Sequence, residues 1–205
     1  MRQVKETYAI PMWLNGRVYL KLSQDYRDVV NPLNGEVLRK VALFGPEEVD
    51  EALRSAGHGL AAWWALGESG HTRLLASLGD ALYDLRAHFS RLIADETGKD
   101  EESATRDVIK LVSCLREPQA ASVTGVVALF ADAKELQAVV AQAVSALAAG
   151  AVLVVCPSPQ SPSALFALAE LSGRCGFPAG VINVACLGDE GRACLQEAPG
   201  ITMLP

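Results

Sequence analysis

The chain of 205 residues predicts an α/β fold built on a parallel sheet, and two features of its second half carry that prediction. No charged side chain occurs between Glu135 and Glu170. Across and beyond that stretch, helical and strand patterns alternate, the order expected where helices cover both faces of a parallel sheet. Residues 136–149 place Leu136, Val139, Val140, Val144 and Leu147 at three- and four-residue spacing, the period of one helix face. Gly150 stands where a helix C-terminus favours a left-handed residue. Residues 151–156 form a continuous, largely β-branched run, as in a strand buried on both faces. Residues 157–162 carry three prolines and break the chain, residues 163–174 return to helical spacing, and residues 181–185 read as the next strand. A membrane helix over residues 136–156 is the rival reading. Its alanines, two glutamines and central glycine make a weak span, and the switch to β-branched residues argues against one helix.

The first half has a different texture. Asn15-Gly16 between apolar runs predicts a tight hairpin over residues 13–20. Residues 26–30 alternate as a strand, 31–35 form a turn, and 36–43 lead out as a further strand. Pro46 opens a helix, where its missing N–H is harmless, with Glu47 and Glu48 favourably placed in the first turn. Val49, Leu53, Ala56, Leu60, Trp63 and Trp64 form its apolar stripe, and Gly57 and Gly59 are expected to end it early. Residues 69–94 continue with leucines on one face, 95–98 end that run, and 101–116 make a third helix. Tryptophans and leucines at this spacing are expected to be core.

Composition narrows the function. Half the residues are hydrophobic and mean hydropathy is +0.21, an excess that suggests surface for a partner chain, with an unusually apolar α/β core as the blander cause. Net charge is −6 without a Lys/Arg cluster, so nucleic acid and anionic membrane are not expected partners. The polar start, Met1 to Glu6, does not resemble a signal peptide, and a cytoplasmic location is expected. Five cysteines without a CxxC pair fit reduced, mostly buried thiols. His58, His71 and His88 lie on different helix patterns, so no metal site is expected.

Several short motifs then fall into one order. They are Asn31-Pro-Leu-Asn-Gly-Glu-Val37, Ala61-Ala-Trp-Trp64, Glu96-Thr-Gly-Lys99, Ala146-Leu-Ala-Ala-Gly150, Pro157-Ser158 with Ser161-Pro162, and Gly176-Phe-Pro-Ala-Gly-Val-Ile-Asn-Val184. Each is weak alone, but together they resemble the N-terminal part of an aldehyde dehydrogenase superfamily member. The resemblance implies an incomplete Rossmann-like parallel sheet with flanking helices, preceded by a β-hairpin and a helical segment. It suggests a β segment over 1–45, a helical segment over 46–117 and a Rossmann-like half over 118–205, forming one compact domain.

Where the chain departs from the family is more informative about function. The strand over residues 124–130 leads, in the family, into a segment whose asparagine donates to the oxyanion formed when a thiolate attacks the aldehyde. Here Ala131-Asp-Ala-Lys-Glu-Leu136 puts Lys134 at that asparagine position, and a flexible lysine is a poor fixed donor. The family's Lys-Pro-Ser-Glu holds the cofactor's adenine ribose through its lysine and glutamate; Cys156-Pro157-Ser158-Pro159 stands in its place. The loop after Val184 is shortened, with Cys186 near a usual glycine, so Phe130, Ala131, Cys156, Ser158, Pro159 and Gly188 are the degenerate candidates for cofactor contact. Only residues 117–123 remain of the connection that carries the family's oligomerisation hairpin. The glutamate base and nucleophilic cysteine would lie beyond Pro205, so no catalytic residue is assigned.

The resulting expectation is a non-catalytic pseudoenzyme, structural or regulatory, that works through a protein partner or self-association. NAD(P) is implied by the resemblance alone, and no cofactor is expected in the isolated chain. The alternative is a fragment or subunit of an NAD(P)-dependent aldehyde dehydrogenase, completed by a separate catalytic domain. A nucleotide-binding module without chemistry is a third reading, weakened by the loss of Lys and Glu around Cys156. A terminal strand at a sheet edge would put the association surface around residues 181–205.

Overall fold

A computed structural model of the protein describes residues 9–21, 25–131 and 136–204. Its centre is β6 (Val126–Ala131), β7 (Val152–Pro157), β8 (Ile182–Val184) and β9 (Ile201–Leu204), all running parallel with β7 and β6 innermost. β7 is buried at all six positions, which is why its sequence carries no polar alternation. The helices α4 (Leu136–Ala148), α5 (Ser163–Arg174) and α6 (Asp189–Glu197) connect these strands in turn. The segment weighed as a membrane helix is therefore a helix, a turn and a strand, and no helix among the described residues is long and apolar enough to cross a membrane.

Gly150, at φ 92°, makes the turn between α4 and β7. Its N–H donates to the carbonyl of Leu147, and the N–H of Ala151 reaches back to Ala146, closing two orphan carbonyls of the helix end. Two tryptophans complete that corner. The Nε1 of Trp63 donates to Leu147 O at 3.0 Å, and that of Trp64 to Gly150 O at 2.7 Å. Trp63 is fully buried, stacked between His71 and Phe177 at centroid distances of 4.3 and 5.3 Å. Trp64 remains exposed, so only part of the expected stripe is core.

The hairpin is β2 (Met12–Leu14) and β3 (Arg17–Tyr19), turned by Asn15 and Gly16, both at positive φ as a two-residue turn of this kind requires. It extends the central sheet, β2 lying antiparallel to β8 through Trp13 and Val184. A second sheet pairs β4 (Asp25–Val30) with β5 (Val37–Leu43) and adds β1 (Ala9–Ile10) parallel to β5.

The helix opened by Pro46 does not end at Gly57 or Gly59. Helix α1 (Pro46–Asp84) runs through both and breaks its helical geometry only at Gly67, φ 64°. Gly59 serves close packing: a Cβ there would lie 2.5 Å from the carbonyl carbon of Gly180. The run over residues 69–94 divides at Leu85 into α1 and α2 (Arg86–Thr97), which Gly98 ends in the left-handed conformation. α3 (Glu101–Arg116) is capped by Asp100, whose carboxylate accepts from Ser103 N at 2.7 Å.

Candidate functional site

The segment that follows β7 meets the amino end of α6 in a cleft of about 400 Å³, walled by Ser158, Pro159, Gln160, Gly188, Asp189 and Arg192, with β4 residues opposite. β6 and β7 run in register, so Phe130 lies beside Cys156 and Ala131 beside Pro157. α6 is held against the end of β5. Gly188 N donates to Phe44 O at 2.9 Å, and a Cβ on Gly191 would fall 2.6 Å from that same oxygen. Close approach is therefore required at Gly191, whereas a Cβ on Gly188 would make ordinary contacts at 3.8 Å. Cys186 lies on the other side of the loop, buried among Ile10, Val29, Val41 and Leu43.

Arg192, in the second turn of α6, points back over the strand ends. Its guanidinium carbon sits 4.2 Å from the centroid of the Phe130 ring, a cation–π contact, and Nη1 approaches Cys156 Sγ at 3.7 Å. Cys156 is 1% exposed. Burial pushes its thiol above the ordinary cysteine range, outweighing the backbone hydrogen bond from Leu187 and the charge of Arg192. A neutral, covered thiol is neither a nucleophile nor a ribose donor of lysine's strength. Cys186 is pushed up further, also by burial. Ser158 Oγ accepts from Gln160 N at 3.3 Å within its own turn, and Pro159 offers no N–H or polar side-chain atom. Asp189 and Glu190 occupy the first turn of α6, where their carboxylates neutralise the helix terminus that would otherwise attract an anion.

A sequence model of the aldehyde dehydrogenase family matches residues 19–127 and 134–205. The chain belongs to that family. The match leaves out residues 128–133, a stretch that begins within β6. Solved structures agree. A putative aldehyde dehydrogenase from Burkholderia cenocepacia is 26% identical with a TM-score of 0.85, over 93% of this chain and 44% of its own. PnpE in complex with nicotinamide adenine dinucleotide is 25% identical with a TM-score of 0.86, over 94% of this chain and 45% of its own. HpcC from Thermus thermophilus, at 20% identity and a TM-score of 0.86 over 94% of this chain and 42% of its own, shares the fold. The chain thus spans less than half the length of these relatives.

Against the family pattern, the sequence-derived positions divide. Ser158, Pro159 and Gly188 line one cleft, Phe130 and Cys156 touch Arg192 at its wall, and Ala131 is buried in register with Pro157. Lys134 lies outside the described residues. The family's charged ribose pair is represented by a buried thiol and a proline, so the donor set present does not fit that mode of cofactor binding. Arg192 and Gly191 were not legible as site residues, since a lone arginine and a glycine on a short helix carry no spacing signal.

Two buried polar clusters lie outside the cleft. Glu96, 4% exposed, accepts from the backbone N of Ser163 at 3.1 Å and from its hydroxyl, with Arg39 Nε at 3.6 Å. It caps α5, whose own N-cap is Pro162 and supplies no side-chain acceptor. Burial raises the Glu96 carboxyl above the usual range, with Ser163 and Arg39 pulling the other way. Asn183 joins four elements: its Oδ1 accepts from Ser55 Oγ at 2.7 Å and Asn15 N at 3.2 Å, and its Nδ2 donates to Gly180 O and Leu153 O. Among the cysteines only Cys156 and Cys186 are fully buried; Cys114, Cys175 and Cys194 are half-buried, against the expectation of mostly buried thiols. His71 is a core residue stacked on Trp63, while His58 and His88 are exposed on separate helices. No group of three candidate metal ligands occurs among the described residues.

Proposed function

We propose that this chain is a non-catalytic member of the aldehyde dehydrogenase family that acts in the cytoplasm by associating with another protein or with its own copy. The observation that carries the reading is the donor set at the cleft: Cys156 and Pro159 stand at the two positions that would hold the adenine ribose. Without that pair, and with Asp189 and Glu190 across the α6 terminus, NAD and NADP find little to bind. Cys156 and Cys186 are covered and burial raises their thiols, so neither supplies an activated thiolate. The place of β9 as the outer strand among the described residues and the high apolar content support association around residues 181–204, since a sheet edge is a site for pairing or cover.

Titration calorimetry with NAD and NADP, alongside an aldehyde oxidation assay, tests the reading. Neither cofactor should bind, and turnover should equal the buffer blank. A dissociation constant in the low micromolar range, about −8 kcal/mol, would overturn it. That outcome would favour the second reading, a cofactor-binding subunit completed by a separate catalytic domain, which the well-preserved parallel sheet also suits.

A further inference from the structure

We infer that Arg192 is the built-in occupant of the ribose position beside Cys156, narrowing the cleft against nucleotides with its own guanidinium. The inference rests on the non-catalytic reading above. Cys156 and Pro159 offer a nucleotide little attraction, but they do not by themselves fill the space. Arg192 takes up the part of it over Cys156 and Phe130, beside the remaining cleft. Its guanidinium carbon sits 4.2 Å from the centroid of the Phe130 ring while Nη1 reaches Cys156 Sγ at 3.7 Å. It thereby covers the ends of both strands that frame the position. Among the described residues no carboxylate forms an ion pair with it, so the ring and the thiol are its partners.

The frame that carries Arg192 is rigid. Gly191 places α6 directly against Phe44 O, Gly188 N is bonded to the same oxygen, and Leu187 bridges to Phe44. The side chain therefore leaves a fixed helix and lands on two fixed strands. Arginine suits the post because its planar, weakly hydrated cation stacks on an aromatic face, which a lysine does less well.

The test compares wild-type protein with Arg192→Ala by two readouts. In the first, native protein is labelled with iodoacetamide and Cys156 modification is followed by peptide mass spectrometry. Removing the guanidinium withdraws a charge that favours the thiolate, so loss of charge alone would slow labelling. Uncovering the sulfur should instead speed it on the order of tenfold. In the second, NAD is titrated while amide NMR signals of Ser158 and Gly188 are followed. Wild type should show no saturable response up to about 10 mM, whereas R192A should saturate with a dissociation constant near ~1 mM. Arg192→Gln, closer in size, repeats both readouts if R192A does not fold. Unchanged or slower Cys156 labelling overturns the inference, as does an exposed Cys156 with no gain in NAD response. Low-micromolar NAD binding by wild type instead overturns the reading under Proposed function.

Discussion

Gly57 and Gly59 lie two residues apart in α1, and alanine should act on them in opposite directions. Both adopt helical backbone, so in each case alanine removes the excess freedom that glycine gives the unfolded chain, worth about 1 kcal/mol in a helix interior. At Gly57 a Cβ meets nothing within 4 Å, so this gain stands alone. At Gly59 the same Cβ would lie 2.5 Å from Gly180 C, 2.8 Å from Val181 N and 2.9 Å from Ala179 O. All three are backbone atoms of a turn that Asn183 fixes from its other side. They cannot rotate away, so the upper end of the overpacking range applies, about 3 kcal/mol. Subtracting the helix gain leaves Gly59→Ala destabilised by about 2 kcal/mol, a fall in Tm of roughly 4–8 °C for a chain of this size. Gly57→Ala should rise by about 2–4 °C. Urea titration and calorimetry of the two single variants read both signs. A neutral Gly59→Ala, or a Gly57→Ala that loses stability, would refute the packing reasoning.

Other consequences follow from the buried polar groups. The folded-state pKa of Glu96 is raised above its unfolded value, so its contribution to stability is full below the ordinary carboxylate range and is lost as pH rises through the raised pKa. Glu96→Gln should remove that part of the pH slope, and urea midpoints measured from acid to neutral pH check it; an unchanged profile would contradict the assignment. Asn183→Ala removes bonds to four segments, three of them at buried partners, and should cost about 3 kcal/mol by the same titration. Light scattering across a concentration series should show self-association or, with a bound partner, a discrete complex, with hydrogen exchange slowed along β9. A soluble monomer whose β9 amides are already protected would count against association there.

The element order β6–α4–β7–α5–β8 was legible because a sheet buried between layers leaves charge no place to stand. Its boundaries were less so, for local reasons. β6 starts at Val126, later than residue 124, because Gly125 turns the chain at φ 83°. β7 starts at Val152 because Ala151 spends its N–H on closing α4. β8 starts at Ile182 because Val181 N is bonded back to Pro178 in the preceding turn. The glycines of α1 misled because sequence shows their propensity and not the backbone they face. β1 was illegible for a different cause: two residues carry no period, and only the neighbouring strand β5 makes them a strand. At the cleft, substitutions within one motif could be read directly. The contact of Arg192 with Phe130 and Cys156 joins residues far apart in sequence and exists only once the sheet has formed.

The motifs that carry the family resemblance are, residue by residue, those whose work is structural. Asn31 and Asn34 accept from Leu33 N and Glu36 N and so fold the turn between β4 and β5. Glu96 caps α5, and Gly98 ends α2 where a Cβ would strike Pro32. Trp63 and Gly150 build the corner before β7, while Gly180 and Asn183 lock the turn before β8 against α1. None of these contacts depends on a bound nucleotide. The departures sit where β6 and β7 end and α6 begins, in side chains that contribute little to those locks. A scaffold held by such contacts can stay intact while its cleft changes chemistry. Family membership here reports the fold, and the function proposed above rests on Cys156, Pro159 and Arg192.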